Sequence, residues 1–197
     1  MFIKQRDVTN RSWCVYHAGL SNPQAAFYFD SVADPFAYTA FFNNTAPDSS
    51  NFSIGTDASV NQSGSNYIAY VFAEVPGFSK FGSYTANNSS DGPFVYLGFR
   101  PKWVMVRHSN LSTGVSRDWL VWDSARTPYN GYNTNDGGAQ AFITGVPYTG
   151  ASSYSDAIDI VSNGFKIRST GGQVNTSTAT YIYMAFAENP FKNALAR

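Results

Sequence analysis

One segment of this 197-residue chain occurs twice. Tyr67-Ile68-Ala69-Tyr70-Val71-Phe72-Ala73-Glu74-Val75-Pro76 matches Tyr181-Ile182-Tyr183-Met184-Ala185-Phe186-Ala187-Glu188-Asn189-Pro190, 114 residues further on. Further landmarks keep the same order. Phe52-Ser53-Ile54 parallels Phe165-Lys166-Ile167, and Val60-Asn61 parallels Val174-Asn175. Arg11-Ser12-Trp13-Cys14-Val15-Tyr16 parallels Arg117-Asp118-Trp119-Leu120-Val121-Trp122, while Phe2-Ile3-Lys4 parallels Met105-Val106-Arg107. Ordered self-similarity of this kind marks two units built on one plan. We therefore expect a shortened first unit over residues 1–78 and a complete second unit over 79–197.

The repeated segments are strand-like. Tyr, Phe, Val, Ile, Thr and Trp fit a pleated, half-buried surface, and Asn, Gly, Ser, Asp and Pro fit the turns between strands. Charged residues make up only 13% of the chain against 17% aromatic, which leaves little for salt-bridged helices. The expected class is all-β: an antiparallel β-sandwich, jelly-roll or lectin-like, with strands near 2–6, 12–17, 26–30, 37–42, 51–54, 66–75, 79–85, 94–99, 102–108, 118–123, 140–144, 157–161, 164–168 and 180–188. Segments 66–75 and 180–188 are apolar on both faces and are expected at sheet centres. The second unit's strands at 79–85 and 94–99 have no counterpart ahead of Phe2. The first unit should then expose sheet edges that a neighbouring subunit, the second unit or further residues must cover.

Charge and cysteine content narrow the function. Thirteen basic residues balance thirteen acidic ones, so no net field draws the chain to nucleic acid or an anionic membrane. The lone cysteine, Cys14, sits in an apolar run and is expected to pack as a small hydrophobe. No run approaches the ~18 apolar residues of a membrane span, and the first residues lack a leader's apolar core, so a soluble chain without a cleaved leader is expected. Asn-x-Ser/Thr triplets abound, and we read them as turn and strand chemistry.

Catalytic patterns are thin. The only two glutamates, Glu74 and Glu188, occupy the same position in the repeated strand, each two residues before a proline, Pro76 and Pro190. A glycosidase pair needs two carboxyls roughly 5–9.5 Å apart across a cleft, and repeat-equivalent residues seldom meet so. The plainer reading is a buried structural acid accepting hydrogen bonds. His17 and His108 stand in no metal-ligand spacing, and Asp91 and Asp136 belong to no spaced calcium series. Neither a metal nor another cofactor is expected. Asp123 and Arg126 could close a turn as an ion pair, and Gly171-Gly172 reads as a turn.

The most informative loop residues are aromatic. Tyr129, Tyr132 and Asn133, with Tyr148 and Tyr154, stand in segments rich in Asn, Ser and Gly. Aromatic rings stack on the apolar face of a sugar while amides bond its hydroxyls, so these loops suit a surface glycan. The plainer reading is a packing role over the sandwich ends or against another subunit.

Phe81-Gly82-Ser83-Tyr84-Thr85, Asp91 through Pro101, Trp119 through Arg126, Asn163 through Arg168 and the ending from Tyr181 together resemble a domain found, commonly in tandem, at the C-terminal end of bacteriophage tail-fibre and other virion structural proteins. Trp13, Trp119, Glu74, Glu188, Pro76 and Pro190 form the structural signature of the internal repeat. The resemblance implies a non-enzymatic virion component on the particle surface, engaged in host adhesion and assembled with other virion proteins. It also implies a homo-oligomer, a trimer by analogy with fibres. A capsid-surface decoration protein and a glycan depolymerase are the alternatives.

Overall fold

The computed structural model describes residues 1–20, 25–31, 36–109, 118–125, 130, 140–143, 146–148 and 157–189. These form antiparallel sheets joined by turns and three single-turn helices, an all-β sandwich fold as composition implied. The chain divides into two compact units, Met1–Phe72 and Ala73–Arg197. Residues 73–78 go with the second unit, ahead of the expected division between 78 and 79. The turn Val75-Pro76-Gly77-Phe78 explains this. Phe78 N–H donates to Val75 O at 2.9 Å, Gly77 has φ +76°, and Phe78 O in turn accepts from Ala187 N. Pro followed by a positive-φ Gly is the signature of a type II turn.

The first unit holds one sheet. Its strands are β1 (Phe2–Gln5), β2 (Cys14–Val15), β3 (Ala25–Tyr28), β4 (Phe36–Ala37) and β5 (Tyr67–Tyr70), in the spatial order β4-β3-β2-β1-β5. Phe2 stands opposite Val15 on one side and Tyr70 on the other. Two helical turns, α1 (Thr39–Phe42) and α2 (Ala58–Asn61), supply the core of one face. Ile3, Cys14, Ala26, Phe41, Phe42 and Val60 are buried there, with Tyr16, Tyr28 and Tyr67 packed against them.

The second unit is a two-layer sandwich. Its larger sheet contains β6 (Ser79–Thr85), β8 (Pro101–His108), β9 (Leu120–Asp123), β10 (Gln140–Ile143), β11 (Val146–Tyr148) and β14 (Thr180–Ala187), in the order β11-β10-β9-β8-β14-β6. The smaller contains β7 (Phe94–Tyr96), β12 (Ile158–Val161) and β13 (Gly164–Ile167), in the order β12-β13-β7. Tyr84, Val106, Leu120, Trp122, Tyr181 and Tyr183 from the large sheet meet Val95, Ile160, Phe165 and Ile167 from the small one. The Phe165 ring sits edge-on to Tyr183 at 5.6 Å and to Tyr84 at 6.2 Å, a favoured aromatic geometry. The helical turn α3 (Gly172–Asn175) adds Val174 to this core.

Several expectations need correction. Segment 66–75 is not a central strand: only Tyr67–Tyr70 forms a strand, and β5 lies at the sheet edge. Its sequence twin, β14, is central and pairs with both β8 and β6. The two segments share a sequence, but only β14 has a neighbour such as β6 on its far side. Residues 51–54 form no strand. Residues 37–42 split between the end of β4 and α1, because adjacent Phe41 and Phe42 both become buried, which a helical turn permits and a strand's alternation does not. Asn43, at φ 50°, ends that turn in the left-handed region that asparagine tolerates. Gly171 and Gly172 open α3 rather than a simple turn, and β11 has no counterpart among the expected strands.

Candidate functional site

Of the loop residues singled out by sequence, Tyr129, Tyr132, Asn133 and Tyr154 lie outside the described residues, as do Asp136, Arg126 and Pro190. Tyr148 ends β11 opposite Ala141 of β10. The remaining signature residues are placed. Trp119 is buried, with the Arg107 guanidinium 5.0 Å from its ring centroid. Trp13 is half-buried, with the Lys4 ammonium 5.6 Å from its ring. Pro76 occupies the type II turn described above.

The two glutamates serve their strand ends rather than a shared chemistry. Glu74 is exposed, not buried as expected, and accepts from Phe81 N–H at 3.0 Å. Glu188 is half-buried, pairs with Arg100 at 2.8 Å and accepts from the Ser124 hydroxyl at 3.3 Å. Asp91 is engaged by the Lys166 ammonium at 2.7 Å, and Asp123 accepts from Ala125 N–H. His17 Nδ1 accepts from Gly19 N–H, and His108 is buried edge-on to the Tyr181 ring. Among the described residues no three His, Cys, Asp or Glu side chains cluster as a metal site would.

Cys14 is fully buried, and desolvation pushes its thiol up to about 12, with the charges of Asp57 and Asp30 acting in the same direction. A thiol so held is protonated and unreactive at neutral pH.

The remaining candidate is a surface. On the first sheet, the face away from α1 and α2 carries an aromatic cluster. Alternation along antiparallel strands puts Phe2, Lys4, Trp13, Phe29, Ile68 and Tyr70 on that face. Phe2 meets Phe29 edge-on at 5.3 Å and Phe72 at 6.2 Å, while Trp13 stacks on Tyr70 at 5.9 Å with planes 28° apart. Lys4 is fixed over Trp13 because its ammonium donates to Arg11 O at 2.6 Å. The cluster is open to solvent at its β5 end, where Tyr70 is 48% exposed and Phe72 43%; Val15 and Phe27, which the same alternation puts on this face, are buried, and Phe2, Trp13 and Phe29 are half-buried. Contiguous exposed apolar surface marks a place where something docks.

Sequence reading singled out only Trp13 of this cluster. The signal for the others lay in the spacing of 2–4 and 68–72; we read 66–75 as a central strand because it is apolar on both faces.

Fold and surface together define an all-β sandwich protein with a partly exposed aromatic cluster among its described residues. The chain belongs to a family described as a domain of unknown function, DUF7483, whose model matches residues 1–190. No curated protein matches the chain, and no solved structure does.

Proposed function

We propose that this protein is a non-enzymatic structural and adhesion module of a bacteriophage particle, exposed on a tail fibre, where it assembles with further copies and other virion proteins and engages the host surface. The observation that carries the reading is the aromatic cluster of the first sheet, open to solvent at Tyr70 and Phe72. A stacked Trp13–Tyr70 pair flanked by a cation offers a flat apolar platform to the less polar face of a sugar ring, and cation and ring together favour polar-edged ligands. The tandem-domain resemblance of the sequence supplies the virion setting. The two glutamates support binding rather than hydrolysis, since Glu188 is engaged in an ion pair with Arg100 and Glu74 in a main-chain hydrogen bond.

The test uses purified host-surface polysaccharide. Retention of the intact chain on the polysaccharide without release of reducing ends, weakened about 10-fold or more by Trp13→Ala with Tyr70→Ala, is the expected result. Liberated reducing ends would replace the adhesion reading with a depolymerase. Immunogold labelling of intact particles separates a fibre position from capsid decoration.

A further inference from the structure

The two large sheets place strands of matching sequence in the same order, and one of them carries an additional strand. In the first unit β2, β1 and β5 lie side by side; in the second β9, β8 and β14 do, and β6 follows beyond β14. The registers agree as well. Phe2 stands between Val15 and Tyr70, and Met105 stands between Val121 and Met184. Smaller details recur 114 residues apart. Tyr67 Oη donates to Ala58 O and accepts from Gln62 N–H; Tyr181 Oη donates to Gly172 O and accepts from Thr176 N–H. Asn61 Nδ2 donates to Gly55 O, and Asn175 Nδ2 to Ser169 O.

The hydrogen-bonding phase of the two edges is also the same. Asn66 O accepts from Arg6 N–H, so Asn66, Ile68 and Tyr70 bond to β1, and Tyr67 and Ala69 turn their N–H and C=O groups outward, with Val71 following directly past the strand's end. In the second unit Thr180 O accepts from Ser109 N–H on the β8 side, and Ala179 O accepts from Ala86 N–H on the β6 side. Tyr181, Tyr183 and Ala185, the positions matching 67, 69 and 71, therefore satisfy their outward groups on β6, opposite Tyr84, Gly82 and Lys80. Among the described strands, none pairs with the outer edge of β5.

We propose that the outer edge of β5 is a docking edge for a second copy of this chain, the two β5 strands pairing antiparallel about a two-fold axis at Ala69. The pairing phase already present at β14 fits a strand, and three features favour a like strand. Residues 67–73 carry no charge, so two copies meet without repulsion. Centring on Ala69 sets Tyr67 opposite Val71 and Ile68 opposite Tyr70, aromatic–β-branched pairs that stabilise antiparallel sheets. The segment also lacks the lysine, proline or bulge by which free edges are normally blunted. The junction brings Ile68 and Tyr70 of both copies to one face and lengthens the aromatic platform. It predicts a two-fold assembly where analogy with fibres suggested a trimer. It does not depend on the adhesion reading, since mass and exchange report it without any glycan.

The experiment measures the mass of the intact chain by sedimentation equilibrium up to about 100 µM, with Ala69→Lys and Ala69→Asp alone and mixed. The expected result is twice the 21.6 kDa of one chain for the native protein. Each variant alone should dimerise at least about 10-fold more weakly, and an equimolar mixture should regain the two-copy mass, because opposite charges then meet at the axis. Hydrogen exchange on the native chain gives a readout without substitution: amides 67, 69 and 71 are protected at concentrations that form the dimer and released on dilution. A monomer at about 100 µM, a three-copy mass, no rescue by mixing folded variants, or concentration-independent exchange at 67, 69 and 71 would each overturn the proposal.

Discussion

The tyrosine hydroxyls that tie a helical turn to a strand show how single residues hold each unit. Tyr67 closes α2 by giving its proton to Ala58 O at 2.6 Å and taking one from Gln62 N–H at 2.7 Å. Both backbone groups belong to the ends of a single helical turn, where intrahelical partners are lacking. Asp57 caps the same turn through Ser59 N–H, and although burial opposes it, hydrogen bonds from Ser59 and Tyr38 hold its carboxyl below the ordinary range. Removing the hydroxyl leaves two backbone groups short of a partner, so Tyr67→Phe should cost about 1–3 kcal/mol. Urea unfolding of Tyr67→Phe, and of Tyr181→Phe in the second unit, checks this; a shift under about 0.5 kcal/mol in both would mean that water replaces the bonds. The paired Val60-Asn61 and Val174-Asn175 were visible in the sequence as repeats, but the turns they build were not. A single helical turn has no periodicity to read.

At the scale of elements, strand positions were largely legible and strand neighbours were not. β6, β8, β12 and β13 follow from their strand-forming residues and the Gly, Asn and Pro residues between them, and β14 from an apolar run on both faces. The misplacement of β5 has a clear physical origin: a double-faced apolar strand reads as central whether or not a neighbour exists to make it so. The aromatic face followed from the same error, because Tyr70 and Phe72 were assigned to a core. Close approach of elements was equally hidden. Gly164 passes so near β7 that a Cβ there would lie 2.1 Å from Val95 O, a main-chain atom, whereas a Cβ at Gly82 would meet a side chain, the end of the Tyr183 ring, with its hydroxyl at 2.7 Å. Gly164→Ala should therefore separate β13 from β7 and cost more than about 3 kcal/mol, and Gly82→Ala about 1–2 kcal/mol. Thermal melts of the two variants give the order, and equal losses would contradict it.

For the molecule as a whole, the buried acids of both units make alkali its weak side. In the first unit Cys14 is raised to about 12 by desolvation, with Asp57 and Asp30 adding to it; Tyr16 and Tyr28 are raised by desolvation as well. In the second, Tyr183 is raised to about 12 by desolvation and by the charge of Glu74, and Tyr84, sealed in the core, is raised well above its ordinary value by burial and by neighbouring Tyr181. Each of these groups is neutral when protonated, and its folded pKa exceeds its unfolded one. The unfolded chain therefore releases protons first, the folded state binds more, and stability falls as pH rises. The contribution is complete below about 9 for the thiol and about 10 for the phenols and is lost progressively toward 12, at up to ~1.4 kcal/mol per pH unit for each group. Urea midpoints should accordingly decline from pH 9 upward, after a rise between about 6 and 8 set by the Met1 amine, which desolvation lowers from its ordinary value to about 6 in the folded state. Cys14→Ala, which removes the earliest titrating group, should delay the first part of that decline. Constant midpoints from about pH 9 to about pH 11, or a decline untouched by the substitution at its onset, would show that these groups are solvated enough in the folded state to titrate normally.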